Sequence, residues 1–108
     1  MPMEYVYVLL SLKDSRFYTG YTKDLQQRID AHTLGKVSIT RNRRPLKLVY
    51  YEACLDQPDA LHRERYLKTT WGKRYLKNRL KYYLQGMELT EQGKKVQGAL
   101  RNVNSVNS

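Results

Sequence analysis

Cysteine is nearly absent from this sequence, and long apolar runs are absent as well. The single Cys54 excludes a disulfide framework, and with only His32 and His62 to help it, a structural zinc cluster is not expected. The first apolar run, residues 5–10, is too short to span a bilayer, and the N-terminal residues lack the charged segment and long apolar run that are typical of a signal peptide. The sequence therefore predicts a soluble, cytoplasmic protein without a membrane partner.

Acidic residues are scarce. Lysine and arginine number 20 against 10 aspartate and glutamate residues, so the net charge of +10 favours a polyanionic partner. Phenylalanine and tryptophan occur once each beside ten tyrosines, so most aromatic rings carry a hydroxyl group. We expect one domain over residues 1–86 and a partly disordered C-terminal tail over 87–108, where apolar residues thin out.

Three strands are predicted in the first half of the chain. Residues 5–10 and 16–21 are rich in tyrosine and apolar residues and are joined by a turn at 13–15, which is typical of a hairpin. Residues 46–51 have the composition of a third strand. The basic segment 36–45 has little apolar content and is predicted to be a loop.

The hairpin is followed by a predicted amphipathic helix. Thr22 can cap its start, while Leu25, Ile29 and His32 recur at helical spacing. Gly35 is expected to end it, because glycine accepts the left-handed conformation that often follows a helix.

Two more helices are predicted after the third strand. Asp56 can cap the first of them, which reaches about Thr70. Gly72 is expected to separate it from a third helix that ends near Tyr83, and Gly86 is expected to close the compact part of the chain.

Glu64 conflicts with its position in the second helix. It lies four residues after Ala60 and three before Leu67, so a carboxylate falls on the apolar stripe. One interpretation is an ion pair with Lys68 at i,i+4 spacing. The other is a ligand for Mg²⁺ or Mn²⁺, which prefer carboxylate oxygen and need only one or two protein ligands.

Arg28, Tyr7 and Tyr18 also have two interpretations, one structural and one chemical. Arg28 lies at the edge of the apolar face that contains Leu25 and His32, where it can cover apolar surface with its stem or clamp a phosphate. Tyr7 and Tyr18 are good strand residues and need no further role. No Ser-His-Asp, Cys-His or glycine-rich phosphate-binding pattern competes with them.

A spaced set of motifs connects these residues. It consists of Tyr5-Val6-Tyr7, Tyr18-Thr19-Gly20, then Thr22, Leu25, Arg28 and His32, then Arg44-Pro45, Leu48-Val49-Tyr50-Tyr51-Glu52 and Ala60-Leu61-His62-Arg63-Glu64. In this order the motifs resemble the GIY-YIG nuclease superfamily, particularly the small single-domain bacterial proteins related to the N-terminal nuclease domain of the excision-repair subunit UvrC. The resemblance covers residues 4 to about 83.

The resemblance implies an α+β fold with a three-stranded antiparallel sheet flanked by helices. It places Tyr7 and Tyr18 on neighbouring strands, where they face Arg28 and Glu64. The implied activity is that of a metal-dependent endonuclease that hydrolyses phosphodiester bonds in DNA, with RNA not excluded. Two alternatives stay open for its selectivity, an enzyme that is structure-selective and linked to DNA repair and an enzyme that is only weakly selective. The implied cofactor is Mg²⁺ or Mn²⁺, held by Glu64.

Roles for the other residues follow from the same resemblance. Tyr7 would take the proton of the attacking water, Tyr18 would orient that water or bind phosphate, and Arg28 would stabilise the transition state. Gly20 would allow close approach of the backbone, and His32 would support the site.

The chain departs from the family pattern at several positions. Tyr5 stands in place of a glycine, Thr19 in place of an isoleucine, and Tyr21 where many relatives have a polar residue such as lysine. None of these changes removes a proposed catalytic group. Asn78 is a further candidate, because some relatives use an asparagine in the site.

Basic residues are candidates for contact with phosphates. The loop residues Lys36, Arg41, Arg43 and Arg44 are the preferred set, and Lys68 is added from the helices. Lys68 belongs to a helical series that could also follow a phosphate backbone and that consists of Arg63, Arg65, Lys68, Lys73, Arg74, Lys77, Arg79 and Lys81. The alternatives to an enzyme are a non-catalytic nucleic-acid-binding module with the nuclease fold and a protein-interaction module that uses exposed tyrosines. The sequence leaves the oligomeric state open.

Overall fold

The computed structural model describes residues 2–91, with side chains up to residue 87. The elements in chain order are β1 (Glu4–Ser11), β2 (Phe17–Thr22), α1 (Leu25–Thr33), α2 (Ser38–Arg41), β3 (Leu46–Cys54), α3 (Gln57–Leu67), α4 (Thr70–Arg79) and α5 (Lys81–Glu91). The chain divides into two compact units, and the boundary between them in the sequence lies between Arg74 and Tyr75. The predicted α+β class is confirmed. Most of the predicted tail, from residue 92 onward, lies outside the described residues.

The first unit contains a three-stranded antiparallel sheet in the order β2-β1-β3, as predicted. The central strand β1 supplies much of the core, because Val6, Tyr7, Val8 and Leu9 are all buried. A strand with neighbours on both edges and cover on both faces is expected to have such a continuous buried run. The turn after β1 includes Ser15 with a positive φ of 61°.

Helix α1 starts later than predicted. Its N-cap is Asp24, whose carboxylate accepts a hydrogen bond from the backbone N–H of Gln27, while the Thr22 hydroxyl accepts one from the N–H of Asp24. The prediction of Thr22 as the cap was wrong, because the stronger acceptor two residues later takes that place. Gly35 follows the helix with a φ of +76°, as expected.

The segment between α1 and β3 is not wholly a loop. Residues Ser38–Arg41 form the short helix α2, which the sequence did not predict. One helical turn has too few residues to show a hydrophobic period, so composition alone favours a loop there.

The predicted second helix ends earlier, and the predicted third helix is two helices. Helix α3 stops at Leu67 instead of continuing to Thr70, and Gly72 lies inside the first turn of α4 instead of between helices. Leu80 separates α4 from α5, and Gly86 lies inside α5. Among residues 2–91, none of the helices combines the length and apolar content needed to cross a membrane.

Candidate active site

The two motif tyrosines lie side by side on one face of the sheet. Tyr7 on β1 is paired directly with Gly20 on β2, and Tyr18 is paired with Leu9. These residues share a face, because side chains alternate along a strand. The ring centroids of Tyr7 and Tyr18 are 6.4 Å apart. The tyrosines therefore occupy neighbouring strands, as the motifs suggested.

Helix α1 presents two polar side chains to Tyr7. Nε2 of His32 lies 2.8 Å from the Tyr7 hydroxyl, and Nε of Arg28 donates to the same hydroxyl at 3.4 Å. The two residues lie four apart, so they lie one above the other on the helix. The His32 ring also lies 5.3 Å from the Tyr18 ring between centroids. Arg28, His32 and both tyrosines thus form one cluster.

Thr40 on α2 completes a buried hydrogen-bonded chain. Nδ1 of His32 lies 2.7 Å from the Thr40 hydroxyl, which donates to the carbonyl of Val37 at 3.5 Å. One proton arrangement satisfies every donor: Tyr7 donates to His32 Nε2, His32 Nδ1–H donates to Thr40, and Thr40 donates to Val37. In this arrangement His32 offers a lone pair to the phenol proton.

Burial and charge set the protonation of this cluster. Burial lowers the pKa of His32 to about 4, and the positive charge of Arg28 acts in the same direction. Burial raises the pKa of Tyr7, although the hydrogen bond from Arg28 opposes the shift. The hydrogen bond to Tyr7 raises the pKa of Arg28. Near neutral pH the free protein therefore holds a neutral imidazole, a protonated phenol and a guanidinium cation.

Glu64 fits both interpretations of its place on α3. It forms the i,i+4 ion pair, since Nζ of Lys68 lies 3.0 Å from its carboxylate. Its side chain is only 18% exposed. Burial is the main cause that raises the pKa of Tyr7, and the negative charge of Glu64 makes a smaller contribution in the same direction. The carboxylate is thus electrostatically coupled to the tyrosine on which the cluster converges.

A divalent cation fits the chemistry of Glu64. Within residues 2–91, no group of three or more histidine, cysteine or acidic side chains comes together to hold a metal ion. A hard cation such as Mg²⁺ needs only one or two carboxylates when water and substrate phosphate supply its other ligands. Lys68 neutralises Glu64 in the free protein and is 52% exposed, so it can swing away to make room for such an ion.

Gly20 provides space for the Tyr7 ring. A Cβ atom at position 20 would overlap the Tyr7 hydroxyl and the ring carbon that carries it. Tyr7 and Gly20 are also direct partners across the hairpin. The close approach expected at Gly20 is therefore made by the side chain of the neighbouring tyrosine.

Arg43, a predicted phosphate-binding residue, makes contacts within the fold. Its Nε donates to the carboxylate of Asp14 at 2.7 Å, and its Nη2 donates to the carbonyl of Arg16 at 3.1 Å. The hydrogen bond from Arg43 holds the pKa of Asp14 well below its usual range. Arg43 therefore ties the loop before β3 to the hairpin turn.

The other arginines of this loop also donate to backbone carbonyls. Nε of Arg41 donates to Gly35 at 2.9 Å, and Nε of Arg44 donates to Arg41 at 3.0 Å. Lys36 is exposed, and Lys68 is paired with Glu64. Phosphate binding by this loop stays a prediction, and much of its donor capacity serves the loop itself.

Two other residues show the limits of sequence motifs. Asn78 belongs to the second unit, where its side chain is exposed, and its role stays a prediction. Thr40, the buried partner of His32, was not predicted. The available signal was a hydroxyl residue with no periodic role inside a basic segment, which is too weak to single it out.

Comparison with known proteins points to one family. The family model described as the GIY-YIG catalytic domain matches residues 3–81. A UPF0213 protein of Clostridium perfringens is 46% identical over 61% of this chain and 71% of its own length. A UPF0213 protein of Staphylococcus haemolyticus is 40% identical over 71% of this chain and 94% of its own length.

A solved structure is similar as well. The solution structure of a UPF0213 protein from Bacillus halodurans is 38% identical, and the match covers 68% of this chain and 81% of that one with a TM-score of 0.44. The names of these relatives state no substrate or reaction.

Proposed function

Because the chain belongs to the GIY-YIG family, we propose that it is a metal-dependent endonuclease that hydrolyses phosphodiester bonds in DNA. The nuclease fold implies a nucleic-acid substrate in general, and the net charge of +10 suits one. The observation that carries the proposal is the convergence on one hydroxyl: the Tyr7 phenol contacts both His32 and Arg28 and senses the charge of Glu64.

The proposed base is Tyr7. As its oxygen takes a proton from the attacking water, its own proton passes to Nε2 of His32, 2.8 Å away. The P–O bond to the leaving oxygen breaks, and that oxygen takes up a proton from solvent. Because burial disfavours the charged His32 ring, its proton then returns through Tyr7 to solvent. The hydrogen bond from His32 to Thr40 keeps the imidazole oriented for that transfer. Tyr18, which lies beside Tyr7 on the same face, would orient the water or a phosphate oxygen.

Arg28 supplies positive charge where negative charge grows. Its guanidinium is fixed through Nε to Tyr7, so its other N–H groups can donate to a phosphate oxygen in the transition state. The residue also opposes the effect of burial on the pKa of Tyr7. Both effects favour the step in which water attacks phosphorus.

Mg²⁺ or Mn²⁺ on Glu64 is the proposed cofactor. Such an ion would stabilise charge on the phosphate and reverse the unfavourable influence of the Glu64 charge on Tyr7. Glu64 would hold it, with Lys68 displaced.

Cleavage of plain, flapped and branched DNA with Mg²⁺ or Mn²⁺ tests this proposal. Glu64→Gln should lower the rate about a hundredfold or more, because it removes the charge that holds the cation. The matched control is Glu52→Gln, which removes a half-buried carboxylate that pairs with Arg63 instead. Equal loss in both variants would contradict the proposed role of Glu64 in holding the cation. No cleavage by the wild type while DNA still binds would favour the non-catalytic binding module.

A further inference from the structure

The corner between α3 and α4 exposes the only tryptophan of the chain. Trp71 is 66% exposed, although tryptophan is usually well covered in a folded domain. The guanidinium carbon of Arg74 lies over its ring, 4.9 Å from the centroid. One face of the indole is thus occupied by a cation, and much of the remaining ring surface is open to solvent.

This corner is tightly built. The hydroxyl of Thr69 donates to the carbonyl of Tyr66 and accepts from the backbone N–H of Gly72. A Cβ atom at Gly72 would overlap that same carbonyl and the Cα of Leu67, so the backbones touch there. The direction in which Trp71 projects is therefore fixed by packed backbone.

The charge around Trp71 is positive. Arg65, Lys68, Lys73 and Arg74 are all exposed, and no acidic residue occurs in the sequence between Glu64 and Glu88. A second copy of this chain would bring the same charge to the surface and be repelled. Within this corner the exposed side chains are mainly polar, and no aliphatic cluster lies beside the indole. The corner therefore lacks the apolar face with which a protein inserts into a lipid surface.

We infer that Trp71 and Arg74 form a stacking platform for an unpaired nucleobase, with Arg65, Lys68 and Lys73 binding the adjoining phosphates. A flat aromatic ring that carries a cation on one face and lies among further cations is the combination with which proteins bind single strands. Paired bases in a duplex have no free face for such a ring. The surface therefore favours a substrate with a single-stranded segment, DNA or RNA.

This inference rests on the proposed function, because it names the substrate class for the same site. Lys68 joins the two regions, since it pairs with Glu64 and lies three residues before Trp71. A strand whose base stacks on the platform would place its neighbouring phosphates close to Glu64. The cut is then expected near a junction between paired and unpaired nucleotides.

Fluorescence of Trp71 tests the platform directly, because no other tryptophan contributes. The full chain is titrated in EDTA, where no metal-dependent cleavage occurs, with oligothymidylate of about ten nucleotides, an abasic strand of the same length, and a duplex. We expect saturable quenching by the oligothymidylate and much weaker quenching by the other two. Oligouridylate serves as a further arm that separates RNA from DNA.

Variants test the affinity. Trp71→Ala should weaken binding of a labelled single strand about tenfold, equivalent to about 1.4 kcal/mol, while Trp71→Phe should restore most of it. The control is Tyr82→Ala, which removes an aromatic that is 77% exposed and also has a cation over its ring. This control should bind within about twofold of the wild type.

Three results would overturn the platform. They are equal quenching by abasic and normal strands, unchanged affinity in Trp71→Ala, and stronger quenching by anionic lipid vesicles or by self-association than by single strands. The result is separable from the proposed function. Quenching without any cleavage would contradict only the proposed nuclease activity, whereas cleavage without quenching would contradict only the proposed stacking platform.

Discussion

Two regions of the first unit are rich in the same residue types, aromatic rings and cations, yet they differ in where the polar groups point. Around α1 and α2, Tyr7 and His32 are buried and hydrogen-bonded to each other, and Arg43 donates to the hairpin turn. At the α3–α4 corner, Trp71 and Arg74 stack on each other and remain exposed. The first region uses its polar groups inside the fold, and the second leaves them available.

The difference shows that a cation in the sequence is not a cation available to a ligand. Buried and half-buried carbonyls need donors, and a long arginine side chain in a loop is well placed to supply them. Arg43 does so for the carbonyls of the hairpin turn and is only half-exposed, whereas the corner satisfies its backbone with Thr69 and leaves Arg74 exposed. Within the basic loop that looked the better binding surface in sequence, Arg43 is thus committed to contacts inside the fold.

Gly72→Ala should destabilise the α3–α4 corner and have the largest effect. The added methyl group would overlap the backbone of Tyr66 and Leu67, which cannot rotate away as a side chain could. We expect the free energy of unfolding to fall by roughly 3 kcal/mol. Urea denaturation measures it.

Gly86→Ala is the matched control for that change. Gly86 lies inside α5, where nothing lies within 4 Å of an added Cβ. We expect a gain of about 0.5 to 1 kcal/mol, because alanine favours the helix. Similar losses in both variants would show that the corner is not specially packed.

Acid should weaken the buried network around His32. In the folded state the pKa of His32 is lowered to about 4, whereas an unfolded histidine titrates near 6.5. The unfolded state therefore binds more protons between these values, so stability is full above about pH 6.5 and declines as the pH falls toward 4. The expected loss from this residue is roughly 3 kcal/mol.

Denaturation at several pH values, in the wild type and in His32→Gln, measures that loss. The variant should lack this part of the decline while keeping the part that comes from carboxylates. NMR titration of the His32 ring gives an independent reading, and a ring that became charged near pH 6.5 would contradict the prediction.

The smallest expected effects separate the two regions most sharply. Arg43→Ala should lower the melting temperature by several degrees with little change in affinity for a single strand, because its guanidinium is bound to Asp14 and to a carbonyl. Arg74→Ala should leave the melting temperature nearly unchanged and weaken binding of the single strand several-fold. The reverse pattern would mean that the loop is the binding surface.

Much of the fold could be predicted from the sequence, because strands and amphipathic helices have periods that composition reveals. Tyr7, Tyr18 and Arg28 could be chosen because their order matches a family, and the structure gathers them in one cluster with His32. Their chemical roles stay proposals.

Other features left no periodic trace in the sequence. Thr40 reaches His32 from a one-turn helix, and only the folded loop shows the contact. Gly72 was interpreted as a helix breaker, whereas the structure requires glycine there for the close contact between backbones. Trp71 was not selected, since exposure cannot be read from residue type.

The lack of a side chain at Gly20 also restricts the register in which β1 and β2 can pair. If β1 slid by two residues along β2, Tyr7 would face Tyr18 or Thr22, and the phenol would meet a side chain where it now finds open space. A slide by one residue would turn the phenol to the opposite face of the sheet. The hairpin can thus accept its central tyrosine in one alignment only, so correct strand pairing and assembly of the candidate active site are the same event.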